Sequence, residues 1–360
     1  MNSSPGTAAE DPSKPTIGLV GFFGWGNYGD ELFADVWRQE LGPHFNLRVL
    51  PDLQAKPYFS RPLAEVLAGV DAILIGGGDL VNARQVSQLY WRRHWLELPT
   101  FIAGVGVPFH ETPHPRVQEH LTMFFNHPNC LYINTRDIES KTWIDEQFSP
   151  AIGVNESPDL VCALDLPEVS RPERPIVGLV TRERRRIHER LPRTADERPE
   201  PTEYVVMQTV ADEMTARGYE VRNIILGTGH TLAEDLADAR WLSMPNTTLF
   251  TSENIDDLTR ALGECSLLLT MKFHGAVVAA MYGVPSLRHT GAEMEPSLKR
   301  SNFFRRINRL DLVAPMTPES ISTYFDNLPA PVDAETRASL RAGAKAEITR
   351  LRDLMLKTLA

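Results

Sequence analysis

Short apolar runs alternate along the chain with stretches that are apolar on one helical face. Residues 16–20 (TIGLV) form one such run, and residues 30–41 (DELFADVWRQEL) follow it. On a helix, the second stretch places these apolar side chains on one face: Leu32, Phe33, Val36, Trp37 and Leu41. Uninterrupted apolar runs are typical of parallel strands buried on both faces. The alternation therefore predicts repeated strand–helix–strand units with parallel sheets.

The same pattern starts again near residue 175, so the chain is predicted to contain two Rossmann-like α/β domains. Apolar runs at 175–181, 219–227 and 266–271 again alternate with helical stretches. The connection 165–174 is charged and contains prolines, which is typical of a domain boundary. The predicted organisation is a disordered tail (1–15), a first domain (16–168), a second domain (172–330) and a C-terminal helix (331–360). The charged residues 182–202 are predicted to form an exposed loop.

Composition and charge restrict the class of protein. The 360 residues carry a formal net charge of −10, which argues against nucleic acid as a main partner because phosphate backbones require a basic surface. Cys130, Cys162 and Cys265 match neither a zinc spacing nor a disulfide framework, so we expect no metal site and a cytoplasmic location. No segment has the pattern of a signal peptide or a membrane span. The sequence leaves open whether the chain forms a homo-oligomer or binds peripherally to a membrane.

A glycine-rich stretch (residues 21–31, GFFGWGNYGDE) follows the first predicted strand. Gly24, Gly26 and Gly29 have the G-x-G-x-x-G spacing of a dinucleotide-binding loop. Asp52, at the end of the second predicted strand, lies where such a fold has its ribose-binding acid. However, Asp30 and Glu31 follow the last glycine directly, and acids at a helix start compete with a bound pyrophosphate. The stretch leaves two interpretations open, a dinucleotide loop or a turn with another function.

A second stretch (residues 271–285, MKFHGAVVAAMYGVP) combines a cation, an imidazole and a glycine. The preceding apolar run delivers Lys272 and His274 to the carboxyl end of a strand, and Gly275 lets a helix start there. Lysine supplies positive charge and histidine exchanges protons near neutral pH, so this turn is a candidate receptor for a phosphate or carboxylate. Arg182, after the first strand of the second domain, is a further candidate because arginine binds planar oxyanions bidentately.

Two other strand ends carry polar residues that we interpret as structural. The segment NTRDIES supplies Arg136, Asp137 and Ser140, which are expected to end a strand and cap a helix. The segment GTGHTLAED supplies His230 and Asp235, which we expect at a helix start and on the surface.

Taken together, these motifs resemble the polysaccharide pyruvyl transferase family. The glycine-rich stretch resembles its G-x-x-G-x-G-N-x-G-D-E signature, and residues 71–80 (DAILIGGGDL) resemble its strand that ends in a glycine triplet. NTRDIES resembles its R-D-x-x-S segment, and residues 271–285 resemble its histidine–glycine segment that ends in G-V-P. The family usually has arginine where this chain has Lys272, and lysine keeps the charge but lacks the bidentate fork.

The resemblance implies a GT-B-like enzyme, with two Rossmann-like domains facing a cleft, that transfers pyruvate from phosphoenolpyruvate to sugar hydroxyls as a ketal. It implies a donor site formed by Arg182, Lys272, Phe273, His274 and Gly275. It implies an acceptor side formed by Gly26, Asn27, Asp30, Glu31, Gly77 and Gly78. The expected partners are phosphoenolpyruvate and a sugar or lipid-linked glycan, and no cofactor is expected.

The chemistry of this transfer suggests a role for each charged candidate. The phosphate and carboxylate of phosphoenolpyruvate require two cations, for which Arg182 and Lys272 are candidates. His274 is the candidate acid that protonates the enol carbon, and Asp30 or Glu31 is the candidate base for the acceptor hydroxyl. Three alternatives stay open: a GT-B glycosyltransferase that uses a nucleotide sugar, an NAD-dependent dehydrogenase, and a non-catalytic member of the family.

Overall fold

The computed structural model describes residues 10–180, 202–237, 244–288, 298–313 and 325–360. These residues form two compact units. The first unit contains residues 10–24, Asp30–Leu164 and Leu340–Ala360, and the second contains Trp25–Gly29 and the described part of Asp165–Ser339. Part of the glycine-rich stretch therefore belongs to the second unit, although it lies near the start of the sequence.

The first unit is built on a six-stranded parallel sheet in the order β2-β1-β3-β4-β5-β6. Its strands are β1 (Thr16–Val20), β2 (Asn46–Val49), β3 (Ala72–Gly78), β4 (Thr100–Val105), β5 (Cys130–Thr135) and β6 (Asn155–Glu156). Its helices are α1 (Tyr28–Glu40), α2 (Leu63–Val66), α3 (Pro115–Phe125) and α4 (Ile138–Phe148). β1 pairs with both β2 and β3, so the chain changes direction across the sheet between β1 and β3. In open α/β sheets such a switch point is where ligands bind.

The second unit is built on a five-stranded parallel sheet in the order β11-β10-β7-β8-β9. Its strands are β7 (Ile176–Val180), β8 (Glu220–Ile224), β9 (Thr248–Phe250), β10 (Leu267–Thr270) and β11 (Ser286–Arg288). The helices that follow α4 are α5 (Thr202–Ala216), α6 (Gly229–Ala237), α7 (Ile255–Gly263), α8 (Phe273–Met281), α9 (Leu298–Arg306) and α10 (Ala334–Leu359). β7 pairs with both β8 and β10, so the switch point of this sheet lies between β7 and β10.

Burial explains why these segments form central strands and packed helices. Every residue of β1, β3, β4 and β7 is buried, as expected for parallel strands that are covered on both faces. α8 consists mostly of small apolar residues, and every residue of α8 except His274 is buried. Helix starts carry side-chain caps: Asn254 Oδ1 accepts from Asp256 N at the start of α7 (2.8 Å).

The fold differs from the sequence expectation in a few places. Residues 10–15, expected in the disordered tail, are held beside β2, where Asn46 Nδ2 donates to the carbonyls of Asp11 and Lys14 (2.8 and 2.9 Å). β6 and β9 span only 2 and 3 residues, too few for an apolar pattern to predict them. Arg182 and the rest of the predicted loop up to residue 201 lie outside the described residues.

The described ranges contain all three cysteines of the chain. Cys130, Cys162 and Cys265 are buried free thiols. Within these ranges, His, Cys, Asp and Glu side chains do not gather in threes as a metal site requires. None of the described helices combines the length and the apolar character needed to cross a bilayer.

Candidate active site

The turn after β10 lies at the switch point of the second sheet. Met271 N donates to the carbonyl of Val180, the last residue of β7 (2.8 Å). The side chain of Thr270 fixes the turn, because its Oγ1 accepts from Lys272 N (3.0 Å) and donates to Lys272 O (2.9 Å). Lys272 is therefore held at the carboxyl edge of the sheet, where open α/β sheets bind ligands.

The ammonium group of Lys272 reaches across this switch point. Its Nζ donates to the carbonyl of Leu226, just after β8, at 2.6 Å and to Asp235 Oδ2, on α6, at 2.9 Å. Because β7 lies between β8 and β10, the lysine side chain spans the end of β7. The side chains of Lys272 and Asp235 are 17% and 22% exposed, so water screens this pair less than a surface pair. An anion that binds Lys272 would meet a cation that already has a carboxylate partner.

His274 lies in the first turn of α8, two residues after Lys272. A Cβ atom at Gly29 would lie 1.8 Å from His274 Nδ1, so only glycine fits beside this imidazole. A Cβ atom at Gly275 would lie 2.8 Å from Thr270 Oγ1. The absence of a side chain at Gly275 therefore lets α8 start directly against the turn.

Phe273, between the lysine and the histidine, is a packing residue. It is 6% exposed, and its ring meets that of Phe303 edge-on with 5.9 Å between centroids. Lys299 Nζ lies 5.7 Å from the centroid of the same ring. The rings of Phe273 and His274 are 5.0 Å apart at 70°, so the buried phenylalanine helps to fix the imidazole.

Residues of the glycine-rich stretch pack on the loop between β8 and α6. The ring of Trp25 stacks on that of His230, with centroids 4.3 Å apart and planes at 22°. Gly26 O accepts from Thr228 N (2.9 Å), and a Cβ atom at Gly26 would lie 1.8 Å from Thr228 O. Contacts with protein groups thus account for two glycines of the G-x-G-x-x-G spacing, Gly26 and Gly29. The spacing needs no dinucleotide to explain it.

The two residues between these glycines anchor the same segment. Tyr28 is 1% exposed, and its hydroxyl lies 2.8 Å from Thr259 Oγ1. Asn27 forms an isolated antiparallel bridge with Gly227, and its Oδ1 accepts from Gly29 N (3.3 Å). The segment is therefore held in place on both sides of Gly26.

Asp30 lies at the switch point of the first sheet. Gly78, the last residue of β3, has φ +107°, and a Cβ atom there would lie 3.5 Å from Asp30 Oδ1. Burial, followed by the negative charge of Asp30, raises the pKa of the Tyr90 hydroxyl. The carboxylate of Asp30 therefore stands near the end of β3, where it can accept a hydrogen bond or a proton from a ligand hydroxyl.

The other candidates near this edge have structural contacts. Glu31 Oε1 accepts from Gly24 N (2.7 Å) and closes the turn. A Cβ atom at Gly77 would lie 2.2 Å from the ring of Phe33, so this glycine lets α1 pack on β3. Asp52, the ribose-binding candidate of the dinucleotide interpretation, caps a turn by accepting from the backbone N–H two residues later (3.0 Å).

Arg136 and its neighbours have the structural role predicted for them. Arg136 forms an ion pair with Asp79, and the arginine side chain is 2% exposed. Asp137 caps α4 by accepting from Ser140 N (2.7 Å), and Ser140 Oγ accepts from Val107 N (3.0 Å). These contacts tie together the segments that follow β3, β4 and β5.

The structure divides the sequence candidates into two groups. Lys272, Phe273, His274, Gly275, Gly26 and Asn27 belong to the second unit. Asp30, Glu31, Gly77 and Gly78 belong to the first unit. The sequence interpretation missed the partnership of Asp235 with Lys272. The sequence does place Asp235 after a strand of the same sheet as Lys272. That position alone does not predict which residue Asp235 contacts.

The two units define the class of protein, which is the GT-B fold with two Rossmann-like α/β units. The chain is similar to MnaA of S. aureus in its complex with UDP, at 9% identity over 96% of this chain and 97% of that chain, with a TM-score of 0.56. It is also similar to UDP-N-acetylglucosamine 2-epimerase from Rickettsia bellii, at 10% identity over 96% and 97% of the two chains, with a TM-score of 0.54. At these identities the likeness shows the fold alone, and the predicted GT-B-like fold is confirmed.

The sequence profile of the polysaccharide pyruvyl transferases matches residues 27–288. The chain therefore belongs to this family, and the resemblance noted in the sequence is confirmed. Membership supports a role in pyruvyl transfer. A search of curated proteins gave no significant match to the sequence.

Proposed function

We propose that this protein is an enzyme that transfers the pyruvyl group of phosphoenolpyruvate to hydroxyls of a sugar or glycan precursor and forms a ketal. The observation that carries the proposal is the turn between β10 and α8, where Lys272 and His274 stand at the switch point of the second sheet. Phosphoenolpyruvate is an anion that must be protonated to react, so it requires a cation beside an acid. Family membership supports the pyruvyl transfer itself.

The proposed reaction starts at the methylene carbon, C3, of phosphoenolpyruvate. His274 donates a proton to C3, which leaves C2 electron-poor. The oxygen of a sugar hydroxyl then bonds to C2 while its proton passes to a base, for which Asp30 is the candidate. A second hydroxyl of the sugar displaces phosphate from C2, and its proton leaves with the phosphate. The products are the ketal and inorganic phosphate; Asp30 then releases its proton to solvent, and His274 takes one up from solvent.

Lys272 is proposed to bind an anionic group of the donor and to stabilise the charge on the leaving phosphate. Its ammonium group has three donors, of which two contact Leu226 and Asp235. Arg182, which comes two residues after β7 in the sequence, is the proposed second cation.

Isothermal titration of the full-length protein with phosphoenolpyruvate tests the donor. We expect Lys272→Ala to weaken binding at least about tenfold, which corresponds to about 1.4 kcal/mol. Lys141→Ala is the matched control, because Lys141 is also a partly buried lysine paired with an aspartate, Asp145. Wild-type protein that binds a nucleotide sugar or NAD but not phosphoenolpyruvate would overturn the proposal.

A second experiment tests the acid. We expect His274→Gln to retain phosphoenolpyruvate binding but to lose the transfer of solvent deuterium to C3, measured by NMR in D₂O with a panel of oligosaccharides as acceptors. Deuterium transfer at the wild-type rate in this variant would remove His274 from the protonation step.

A further inference from the structure

The first unit contains an open cavity of about 380 Å³, here called the α3 groove. It is formed by the segment after β3 and the start of α3, and its polar lining consists of Arg84, Gln85, Gln88, His114, Arg116 and His120. Its volume lies at the lower end of the range for small-molecule sites. Both segments follow strands of the first sheet, so they leave it at the same carboxyl edge as Asp30 and Gly78.

Two arginines, Arg84 and Arg116, line the groove, and one of them has a carboxylate partner. Arg84 is fixed by a two-point contact with Glu111, in which its Nε donates to Oε2 at 2.8 Å and its Nη2 to Oε1 at 2.5 Å. Arg116 is exposed, and its guanidinium forms no ion pair or hydrogen bond with any residue that the structure describes. Arg116 also lies in the first turn of α3, which contains no acid. The positive charge of Arg116 therefore adds to the partial positive charge at the N-terminus of α3. The first turn of α3 has no carboxylate that would offset them.

The remaining lining groups suit hydroxyls. His114 Nδ1 accepts from Arg116 N (3.3 Å), so the neutral ring carries its proton on Nε2 and can donate to a ligand. His120 Nε2 lies 2.7 Å from the carbonyl of Trp91, which leaves its Nδ1 as an acceptor. Gln85 and Gln88 add exposed amides that both donate and accept. His114 N also donates to Ala83 O (2.8 Å), which ties the two walls together.

We propose that the α3 groove binds an anionic sugar, with Arg116 on its phosphate or carboxylate and the imidazoles and amides on its hydroxyls. This inference rests on the proposed function and deepens it, because it names the acceptor as a glycan that carries negative charge. Arginine binds phosphate and carboxylate alike through parallel N–H donors. Sugar phosphates and sugar carboxylates therefore both offer the oxyanion that Arg116 would bind. Comparing the affinities of the two kinds of sugar shows which one the groove prefers.

The test measures binding of glucose 1-phosphate, glucuronate and neutral maltose to the full-length protein by ligand-observed NMR. We expect at least one charged sugar to bind about tenfold more tightly than maltose, and Arg116→Gln to remove that advantage. Arg93→Gln is the matched control, because Arg93 is an exposed arginine of the same unit outside the groove. Preference for glucose 1-phosphate would identify a phosphate, and preference for glucuronate a carboxylate.

Two results would overturn the groove proposal: equal affinity for charged and neutral sugars, or equal effects of Arg116→Gln and Arg93→Gln. Failure of the proposed function is separate, since it would show as loss of phosphoenolpyruvate binding in the wild type. In that case a charged-sugar preference that Arg116→Gln abolishes would still establish the groove as a binding site. Arg116 is exposed, so the variant is expected to keep the melting temperature of the wild type.

Discussion

Gly29 lies so close to His274 that a Cβ atom at position 29 would be 1.8 Å from the imidazole Nδ1. The two residues are far apart in the sequence, yet both belong to the second unit. The contact means that the glycine-rich stretch and the proposed acid are positioned by each other. It also explains why a glycine, and no larger residue, stands at the start of α1.

A double-mutant cycle tests this contact. Gly29→Ala should lower the free energy of unfolding by about 1–3 kcal/mol, because the added methyl group cannot fit beside the imidazole. In the His274→Ala background the obstructing ring is gone, so the same substitution should cost less than about 1 kcal/mol. Chemical denaturation of the four proteins gives both numbers. The same cost in both backgrounds would mean that the two residues do not constrain each other.

Alanine substitutions at Gly26 and Gly24 distinguish the cost of a steric clash from the cost of backbone strain. Both have a left-handed φ, +91° and +82°, but a Cβ atom at Gly26 would lie 1.8 Å from Thr228 O, whereas nothing lies within 4 Å of one at Gly24. Gly24→Ala should therefore cost only the strain of about 1–2 kcal/mol. Gly26→Ala should cost clearly more in the same denaturation experiment. Equal costs would show that Thr228 moves away freely.

The Lys272–Asp235 pair predicts a gain of affinity. Asp235→Asn keeps a hydrogen-bond acceptor for Lys272 but removes the negative charge 2.9 Å from its Nζ. Phosphoenolpyruvate should then bind on the order of three- to tenfold more tightly, because the anion no longer faces a carboxylate. Titration calorimetry measures the change. Glu234→Gln, an exposed charge removal on the same helix, should have little effect, and weaker binding to Asp235→Asn would show instead that Asp235 positions the lysine.

The Arg136–Asp79 pair predicts a large loss of stability. The arginine side chain is 2% exposed, and Asp79→Asn leaves this buried guanidinium without its main countercharge, at a cost of about 3 kcal/mol or more. Asp35→Asn removes one partner of the exposed Arg38–Asp35 pair and should cost less than about 1 kcal/mol. Urea denaturation of both variants makes the comparison. Similar costs would mean that neighbouring carboxylates hold Arg136 without Asp79.

The buried thiols predict a pH dependence. Burial raises the pKa of Cys130 and of Cys265 to about 12, from an ordinary value of 9.0. The folded state therefore keeps both thiols protonated, and the stability this gives is complete below pH 9 and is lost as the unfolded chain ionises above it. Unfolding free energies measured from about pH 8 to about pH 10 should fall less steeply in Cys265→Ala than in the wild type. Identical slopes would show that Cys265 does not contribute.

Much of the fold follows from the sequence alone. The uninterrupted apolar runs at β1, β3 and β7 require burial on both faces, and only parallel sheets covered by helices provide it. A helix start also follows from local chemistry at α3, where Pro115 occupies the first helical position after the cap residue His114. The order of the motifs was sufficient to indicate the family, which the profile match confirms.

The roles of single residues were decided by the tertiary structure. The glycine spacing at 24–29 fits a dinucleotide loop as a local pattern, and only the contacts of Gly26 with Thr228 and of Gly29 with His274 give it another purpose. The sequence around Asp235 predicts an acid on the surface of a helix. In the structure Asp235 pairs with Lys272, because α6 and the end of β10 meet across the end of β7. Local sequence sets backbone preference and burial, whereas these contacts join residues distant in the chain. They depend on strand order and packing, which no local pattern encodes.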